Sequence, residues 1–456
     1  MSAISLVLFL SLAATLWLIT VLVIAKWPAI GIAFTVLVIF TLWEFPNIPP
    51  IAQLFGFALY FNDVLATALF ANAIHNISTL RSNLRGSIFP WLTFIILTTF
   101  SLVTGAHIYG LGSAITEGRA FFLLALCMTW SLSLPWSNWA RTGHLYRIAL
   151  TLGFGLIALA AYHATRYGVG TAETAILLDA GQVVTGRVLV AGQALSVVFC
   201  MAITASHWYR TRSKLAGCMS TALLLVAIVS QHRSVWLAAA VALTVVIIFS
   251  PLRVKKSVFG GLIVFGSLSV AILLTGVADN LITLLLDSAS QIKSVDARAA
   301  SWPQLIEQSF ARGWEYVVFG QPFGSGYVRI EPNGMVATFM PHNWYVSLFL
   351  RTGALGLLAH LILFGSFLVL AIRRRATIGL FILTAISVYA LAYNIDWYHH
   401  FFAAYAIASI AFSRSCDKSR ISPHVQPSIN LKQPKVWQGV PNIDPISRPT
   451  RISPQQ

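Results

Sequence analysis

Apolar stretches of roughly 17 to 25 residues, the length a helix needs to cross the hydrocarbon core of a bilayer, recur along this whole 456-residue chain. They read at 3–25, 28–43, 51–74, 89–109, 119–139, 145–163, 183–206, 215–230, 235–250, 257–277, 342–371, 376–394 and 397–413. Inside hydrocarbon a backbone satisfies its own N–H and C=O groups only as a helix or a closed barrel, and runs of this length select the helix. Charged residues are 10% of the chain, against about a quarter in an ordinary soluble domain. The expected fold class is all-α, a polytopic integral membrane protein with about 12 or 13 transmembrane helices. Pro49, Pro50 and the Asn62-Asp63 pair make 28–43 and 51–74 the segments most open to breaking or re-entering. The first stretch is too long for a signal peptide and has no A-x-A-like cleavage site, so it reads as a retained span.

The net charge of +16 and a pI near 10 would also suit a nucleic-acid partner, but the distribution of charge argues otherwise. One set of connections is short and basic: Lys26; Arg81 and Arg85; Arg141 and Arg147; Arg210, Arg212 and Lys214; Arg253, Lys255 and Lys256; Arg373, Arg374 and Arg375. Together with the tail from Arg414, these hold 21 basic residues against Asp417 and Asp444. By the positive-inside rule this side is cytoplasmic. The alternating connections hold Glu44, Glu117, Glu173, Asp179, the stretch 278–341 and Asp396, with nine basic and eleven acidic residues in all. Asp63 reads as lying within a span. The excess charge is therefore a matter of orientation, and no nucleic-acid partner is expected.

The transmembrane domain is expected over 1–413, including a large periplasmic loop at 278–341. Residues 414–456, rich in Pro, Ser, Gln and Asn, read as a disordered basic cytoplasmic tail. The four cysteines show no CxxC and no metal-type spacing.

Loops longer than about 15 residues are usually functional or disordered, which makes 278–341 the natural place for chemistry. It holds the aromatic residues Trp302, Trp314 and Tyr316, a helical-looking run from Val295 to Phe310 and a glycine-rich turn from Phe319 to Tyr327. Gly105–Arg119 reads as an additional outward loop. Four residues stand out: Arg233 at the tight turn between two apolar helices, Arg187 opening a helix on the same side, Arg298 in the loop helix and His342 starting the helix that closes the loop. Each has a plainer alternative. Arg187 and Arg233 suit snorkelling to headgroups, Arg298 suits pairing with Asp296 or Glu307, and His342 suits a backbone hydrogen bond. Their convergence on one membrane face fits a pyrophosphate-linked substrate. Guanidinium forks bind phosphate oxygens bidentately, and a histidine near neutrality takes a proton from an attacking hydroxyl. The chain lacks HExxH, GxSxG, Walker A and dinucleotide-binding motifs. The early outward loop offers Glu44 alone where metal-dependent transferases keep paired acids. Metal-independent chemistry without a cofactor is expected.

The run Gln231-His-Arg-Ser-Val-Trp236, then Arg298-x3-Trp302, Phe319-Gly320-x3-Gly324-x-Gly326, Pro341-His342-Asn343-x-Tyr345 and Arg351-Thr-Gly-Ala-Leu-Gly356 resembles the O-antigen ligase and O-antigen polymerase superfamily over roughly 185–360. The resemblance implies the lipid-sugar glycosyltransferase membrane fold in a bacterial inner membrane, with the active site on the periplasmic side. It implies an undecaprenyl-pyrophosphate-linked glycan donor, with a lipid-linked repeat or lipid A-core as acceptor. Membrane lipids and other polysaccharide export or chain-length proteins are further implied partners. Carried over by position, Arg233 and Arg298, with Arg187 as a weaker match, would hold the pyrophosphate and His342 would be the base of an inverting transfer. Asn343, Tyr345, Trp302, Gly324 and Gly326 would support the sugars and the loop. Ser234-Val235-Trp236 follows the arginine where ligases commonly carry a small residue. A polymerase is favoured, partly on the Gly105–Arg119 loop, with a ligase as the alternative. A transporter of lipid-linked oligosaccharide is the reading from another class, and the absence of an internal repeat weighs against it.

Overall fold

The computed structural model describes residues 3–42, 49–54, 56–170, 175–177, 183–274, 283, 293–330, 334 and 336–418. Glu44, Glu173, Asp179 and the tail beyond Lys418 lie outside the described residues. Helices make up 81% of the described residues, and the strands among them form only two-stranded antiparallel hairpins. The chain is an all-α membrane protein.

Helices α1 (Ala3–Lys26) and α2 (Pro28–Thr41) are separated by Trp27. Proline at the first position of α2 has no N–H with which to continue the preceding helix, and the pair bends by 113°. The expected span 51–74 is not one helix. Strands β1 (Ala52–Leu54) and β2 (Phe57–Leu59) form a hairpin, and α3 (Phe61–His75) begins after it. Asp63 lies in the first turn of α3, where its carboxylate accepts from the Tyr60 N–H at 2.9 Å and faces the positive end of the helix dipole.

After α4 (Ile77–Leu84), helix α5 (Ile88–Tyr109) displays the membrane logic on its surface. Phe89, Ile96, Phe100 and Val103 are more than half exposed, whereas Trp91, Phe94, Thr98, Ser101 and Gly105 are buried. An apolar outer stripe with hydroxyls and glycine on the inner one suits lipid outside and close helix packing inside. Thr98 satisfies its hydroxyl within the helix, donating to the Phe94 carbonyl at 2.7 Å.

Helix α6 (Leu111–Leu132) follows after Gly110 alone. The expected outward loop Gly105–Arg119 is therefore helical, and Glu117 and Arg119 belong to α6. Both charges find partners far along the chain: Arg119 Nε meets Asp63 at 3.1 Å, and Glu117 pairs with Arg351.

Then come α7 (Trp136–Arg141), α8 (His144–Tyr167), the hairpin β3 (Ala175–Leu177) and β4 (Val183–Thr185), α9 (Ala191–Thr211), α10 (Lys214–Val229), α11 (Arg233–Phe249) and α12 (Leu252–Leu274). The long connection contains α13 (Lys293–Arg312), α14 (Trp314–Phe319) and the hairpin β5 (Arg329–Ile330) and β6 (Val336–Ala337). Helices α15 (Trp344–Arg374), α16 (Thr377–Tyr389) and α17 (His400–Lys418) complete the fold. By length and apolar composition α5, α6, α8 and α15 can each cross a membrane, and the bent α1–α2 pair adds a fifth; α10, α11 and α16 are apolar but shorter. Fewer helices qualify than apolar windows were read. The window 51–74 ran through the hairpin before α3, and 183–206 through the non-helical segment before α9.

The helical run expected from Val295 to Phe310 is α13, whose Ser301, Leu305 and Ser309 are buried at four-residue spacing. Leu305 packs with Tyr327 and Leu350, tying the long connection to α15. Gly353 interrupts α15 at φ 65°, ψ −170°. A Cβ there would collide with the Val318 carbonyl of α14, so glycine serves both the left-handed backbone and the close crossing.

Candidate functional site

The glycine-rich turn after α14 is built into the helix pack. Gln321 N–H donates to the Leu350 carbonyl at 2.6 Å, and Phe323 N–H to the Ser101 carbonyl at 3.2 Å. Gly105 admits this strand of backbone, since a Cβ would strike the Phe323 carbonyl. The Phe323 ring lies 5.3 Å from Phe121, which stacks on Trp344 at 4.9 Å. One oxygen of Glu117, Oε2, accepts from the N–H groups of Gly324 at 2.8 Å and Gly326 at 3.0 Å. Arg351, fully buried in α15, pairs with the other oxygen. It also donates to Ser325 Oγ at 2.7 Å and the Gly326 carbonyl at 2.6 Å, with its guanidinium 4.1 Å from the centre of the Tyr327 ring. Burial pushes the Tyr327 phenol up to about 12. Converging N–H groups of a glycine turn make an anion nest, and here the protein's own carboxylate fills it. Gly324 and Gly326 therefore fasten the long connection to α6 and α15.

His342 stands on a rigid base. Asn343 Oδ1 caps α15, accepting from the N–H groups of Tyr345 at 3.0 Å and Val346 at 3.1 Å. The Tyr345 hydroxyl donates to the Ser387 carbonyl at 2.9 Å. These two residues, expected to orient sugars, spend those groups on holding the start of α15 against α16. Trp344 N–H donates to the Ala390 carbonyl at 2.9 Å, Asn394 Nδ2 to the Pro341 carbonyl at 2.9 Å and Ser347 Oγ to Asn394 Oδ1 at 3.0 Å. The His342 ring, half-buried, meets Tyr393 edge-on at 5.8 Å and Phe339 at 5.7 Å. Buried Arg329 braces Phe339 from β5, donating to its carbonyl at 2.7 Å and lying 4.6 Å from its ring centre.

Arg187 does not open a helix; it lies in the segment between β4 and α9. Two histidines hold the carbonyls that follow it. His163 Nδ1 donates to the Val188 carbonyl at 2.8 Å, and His232 Nε2 donates to the Leu189 carbonyl at 2.8 Å. The other His232 nitrogen, Nδ1, lies 3.2 Å from Arg187 Nη1. His232 reaches this position because Gln231 adopts the left-handed φ of 55°, turning the chain between α10 and α11. Burial, and then the Arg187 charge, push the His232 imidazole down to about 3, so the ring is neutral. Arg233 is the next residue and the first of α11.

The connection between α16 and α17 ties these parts together. Its Tyr393 and Asn394 touch the His342 segment, and Tyr393 stacks on Tyr389 at 5.2 Å. Further along, the Tyr398 hydroxyl and the Asp396 carboxylate approach the start of α9 over Gly192, where a side chain would leave them no room. Burial pushes the Asp396 carboxyl up to about 6, while its hydrogen bond with Tyr398 opposes that shift. His399 Nε2 donates to the Gly192 carbonyl at 2.9 Å. The connection thus touches both the segment of His342 and the start of α9, four residues after Arg187, while Arg233 stands at the start of α11. Position 298 falls on α13 one turn before Ser301, and the Arg298 side chain lies outside the described residues. Trp302 is half-buried on α13, and Trp314 is 72% exposed.

The roles of Glu117, Arg351, His232 and Asp396 were missed from sequence. Arg351 had a readable signal, since an arginine inside an apolar helix requires a partner. Its mate Glu117 is 234 positions away in the chain, a separation no local pattern spans. Among the described residues no three His, Cys, Asp or Glu side chains are grouped to hold a metal ion. No protein-family model matches this chain, and no curated protein matches it in sequence.

Proposed function

We propose that this chain is a multi-span bacterial inner-membrane glycosyltransferase, working at the periplasmic face. It transfers glycan from an undecaprenyl-pyrophosphate donor to an acceptor sugar hydroxyl, as an O-antigen or exopolysaccharide polymerase. The observation that carries this reading is the arginine pair Arg187 and Arg233, flanking neutral His232, at the same end of the helix pack as half-buried His342. Phosphate recognition calls for fixed guanidinium groups, and Arg187 is fixed from one side by an uncharged ring. Acid–base work calls for an imidazole on a rigid base, and His342 has one.

In the proposed reaction His342 takes the proton of the acceptor hydroxyl. The oxygen attacks the anomeric carbon with inversion as the bond to the pyrophosphate oxygen breaks. Arg187, Arg233 and Arg298 stabilise the charge growing on that leaving group. The acceptor decides the name: a lipid-linked repeat makes a polymerase, and lipid A-core makes a ligase. The helical Gly105–Arg119 segment removes one reason for preferring the first. The glycan profile of a deletion strain tests the proposal. Single repeats on lipid A are expected for a lost polymerase and polymer stranded on undecaprenyl for a lost ligase, whereas an unchanged profile contradicts both.

A further inference from the structure

One polar contact joins two groups that both become cations on protonation, a histidine and an arginine. His232 is 4% exposed, and both of its ring nitrogens are engaged. The Leu189 carbonyl at 2.8 Å can only accept, so Nε2 carries the hydrogen. That fixes the tautomer: Nδ1 presents a lone pair, and Arg187 Nη1 at 3.2 Å donates to it. A protonated ring would set two cations against each other, and burial keeps the ring neutral. The histidine is fixed in turn by the chain on both sides, through the left-handed Gln231 before it and α11 after it.

We propose that His232 is a positioning residue, whose Nδ1 orients the Arg187 guanidinium toward a phosphate-bearing ligand while Leu189 fixes the tautomer that makes this possible. The identity of the ligand rests on the transferase reading above; the orientation of Arg187 does not. A neutral acceptor such as His232 orients the guanidinium without cancelling its charge. A carboxylate in the same place would orient it equally well but would offset that charge, so a histidine here favours recognition of an anion. An amide can imitate the ring, with its oxygen accepting from Arg187 and its nitrogen donating to Leu189, whereas phenylalanine fills the space and does neither.

Two measurements on the detergent-solubilised full chain test this. With 15N-labelled arginine, Arg187 guanidinium resonances restricted in rotation are expected in the wild type and in His232→Gln, and freely averaging ones in His232→Phe. Equal restriction in all three would overturn the positioning role whatever the substrate. With an undecaprenyl-pyrophosphate-linked glycan, His232→Phe is expected to slow transfer about tenfold, on the scale of losing one oriented interaction, and His232→Gln to recover most of that loss. The Arg187→Ala/His232→Phe double variant is expected to be no slower than Arg187→Ala, since groups acting through one another are not additive. A further tenfold loss in the double variant would show that His232 acts independently of Arg187 and would overturn the proposal. No transfer by the wild type would instead contradict the transferase reading, and the resonance measurement would still decide the role of His232.

Discussion

Replacing His342 with alanine is expected to slow glycan transfer by about 10²- to 10⁴-fold, the range for removing a general base, while leaving the folded protein abundant in the membrane. The two halves of this expectation have separate causes. The backbone at 341–344 is held by the Asn343 cap, by Asn394 on the Pro341 carbonyl and by Trp344 on the Ala390 carbonyl. None of these bonds uses the imidazole. Loss of the ring therefore removes a proton acceptor and the ring contacts with Tyr393 and Phe339, and leaves the start of α15 in place. His342→Gln keeps a polar side chain but supplies no base near neutrality, so it is expected to be as slow as the alanine variant. Transfer rates measured beside circular dichroism and membrane abundance check this, and a variant within a few-fold of wild type would remove His342 from the reaction.

Arg351→Ala is expected to have the opposite signature, a loss of stability first and of activity as a consequence. Breaking a buried ion pair by removing one partner costs about 3–5 kcal/mol, because the remaining charge stays buried. Here that remaining charge is Glu117, and Ser325 and the Gly326 carbonyl lose donors at the same time. The glycine turn would keep its two N–H bonds to Glu117 and the backbone bonds of Gln321 and Phe323, but the Tyr327 ring would be bare on the face that Arg351 covered. A markedly lower unfolding temperature in detergent is the measurement. Replacing both partners, as in Glu117→Gln/Arg351→Met, is expected to cost less than the two single losses combined, since neither charge is then stranded. An Arg351→Ala protein that melts with the wild type would refute the fastening role of this pair.

Hydropathy carried the fold class well because it reports the environment of most side chains, and α5, α8 and α15 appear close to where their apolar runs lie. It failed where charge is paired rather than absent. Glu117 and Arg119 read as a polar loop because a window average counts charges and is blind to partners; with Arg351 and Asp63 beside them they sit in a helix after a one-residue break at Gly110. It failed again at 51–74, where an apolar hairpin and an apolar helix have the same composition. The candidate site was legible only as a set of unusual residue types in order, His342 and Arg233 above all. Its supports were not. Asn343, expected to support the sugars, is a helix cap, and Gly324 and Gly326, expected to support the sugars and the loop, hold Glu117. His232 stood in the quoted motif beside Arg233, but its partner Arg187 is 45 residues away, and only the tertiary fold brings the two side chains together.

The most direct test is a reaction with purified chain and an undecaprenyl-pyrophosphate-linked glycan in sealed vesicles, with a chelator present and no ion gradient. The proposal predicts new glycosidic product, either lengthened lipid-linked glycan or glycan moved to lipid A-core, together with released undecaprenyl pyrophosphate, and no product from Arg233→Ala. Intact donor that merely crosses the bilayer, with no glycosidic bond made or broken, would contradict it and identify a transporter.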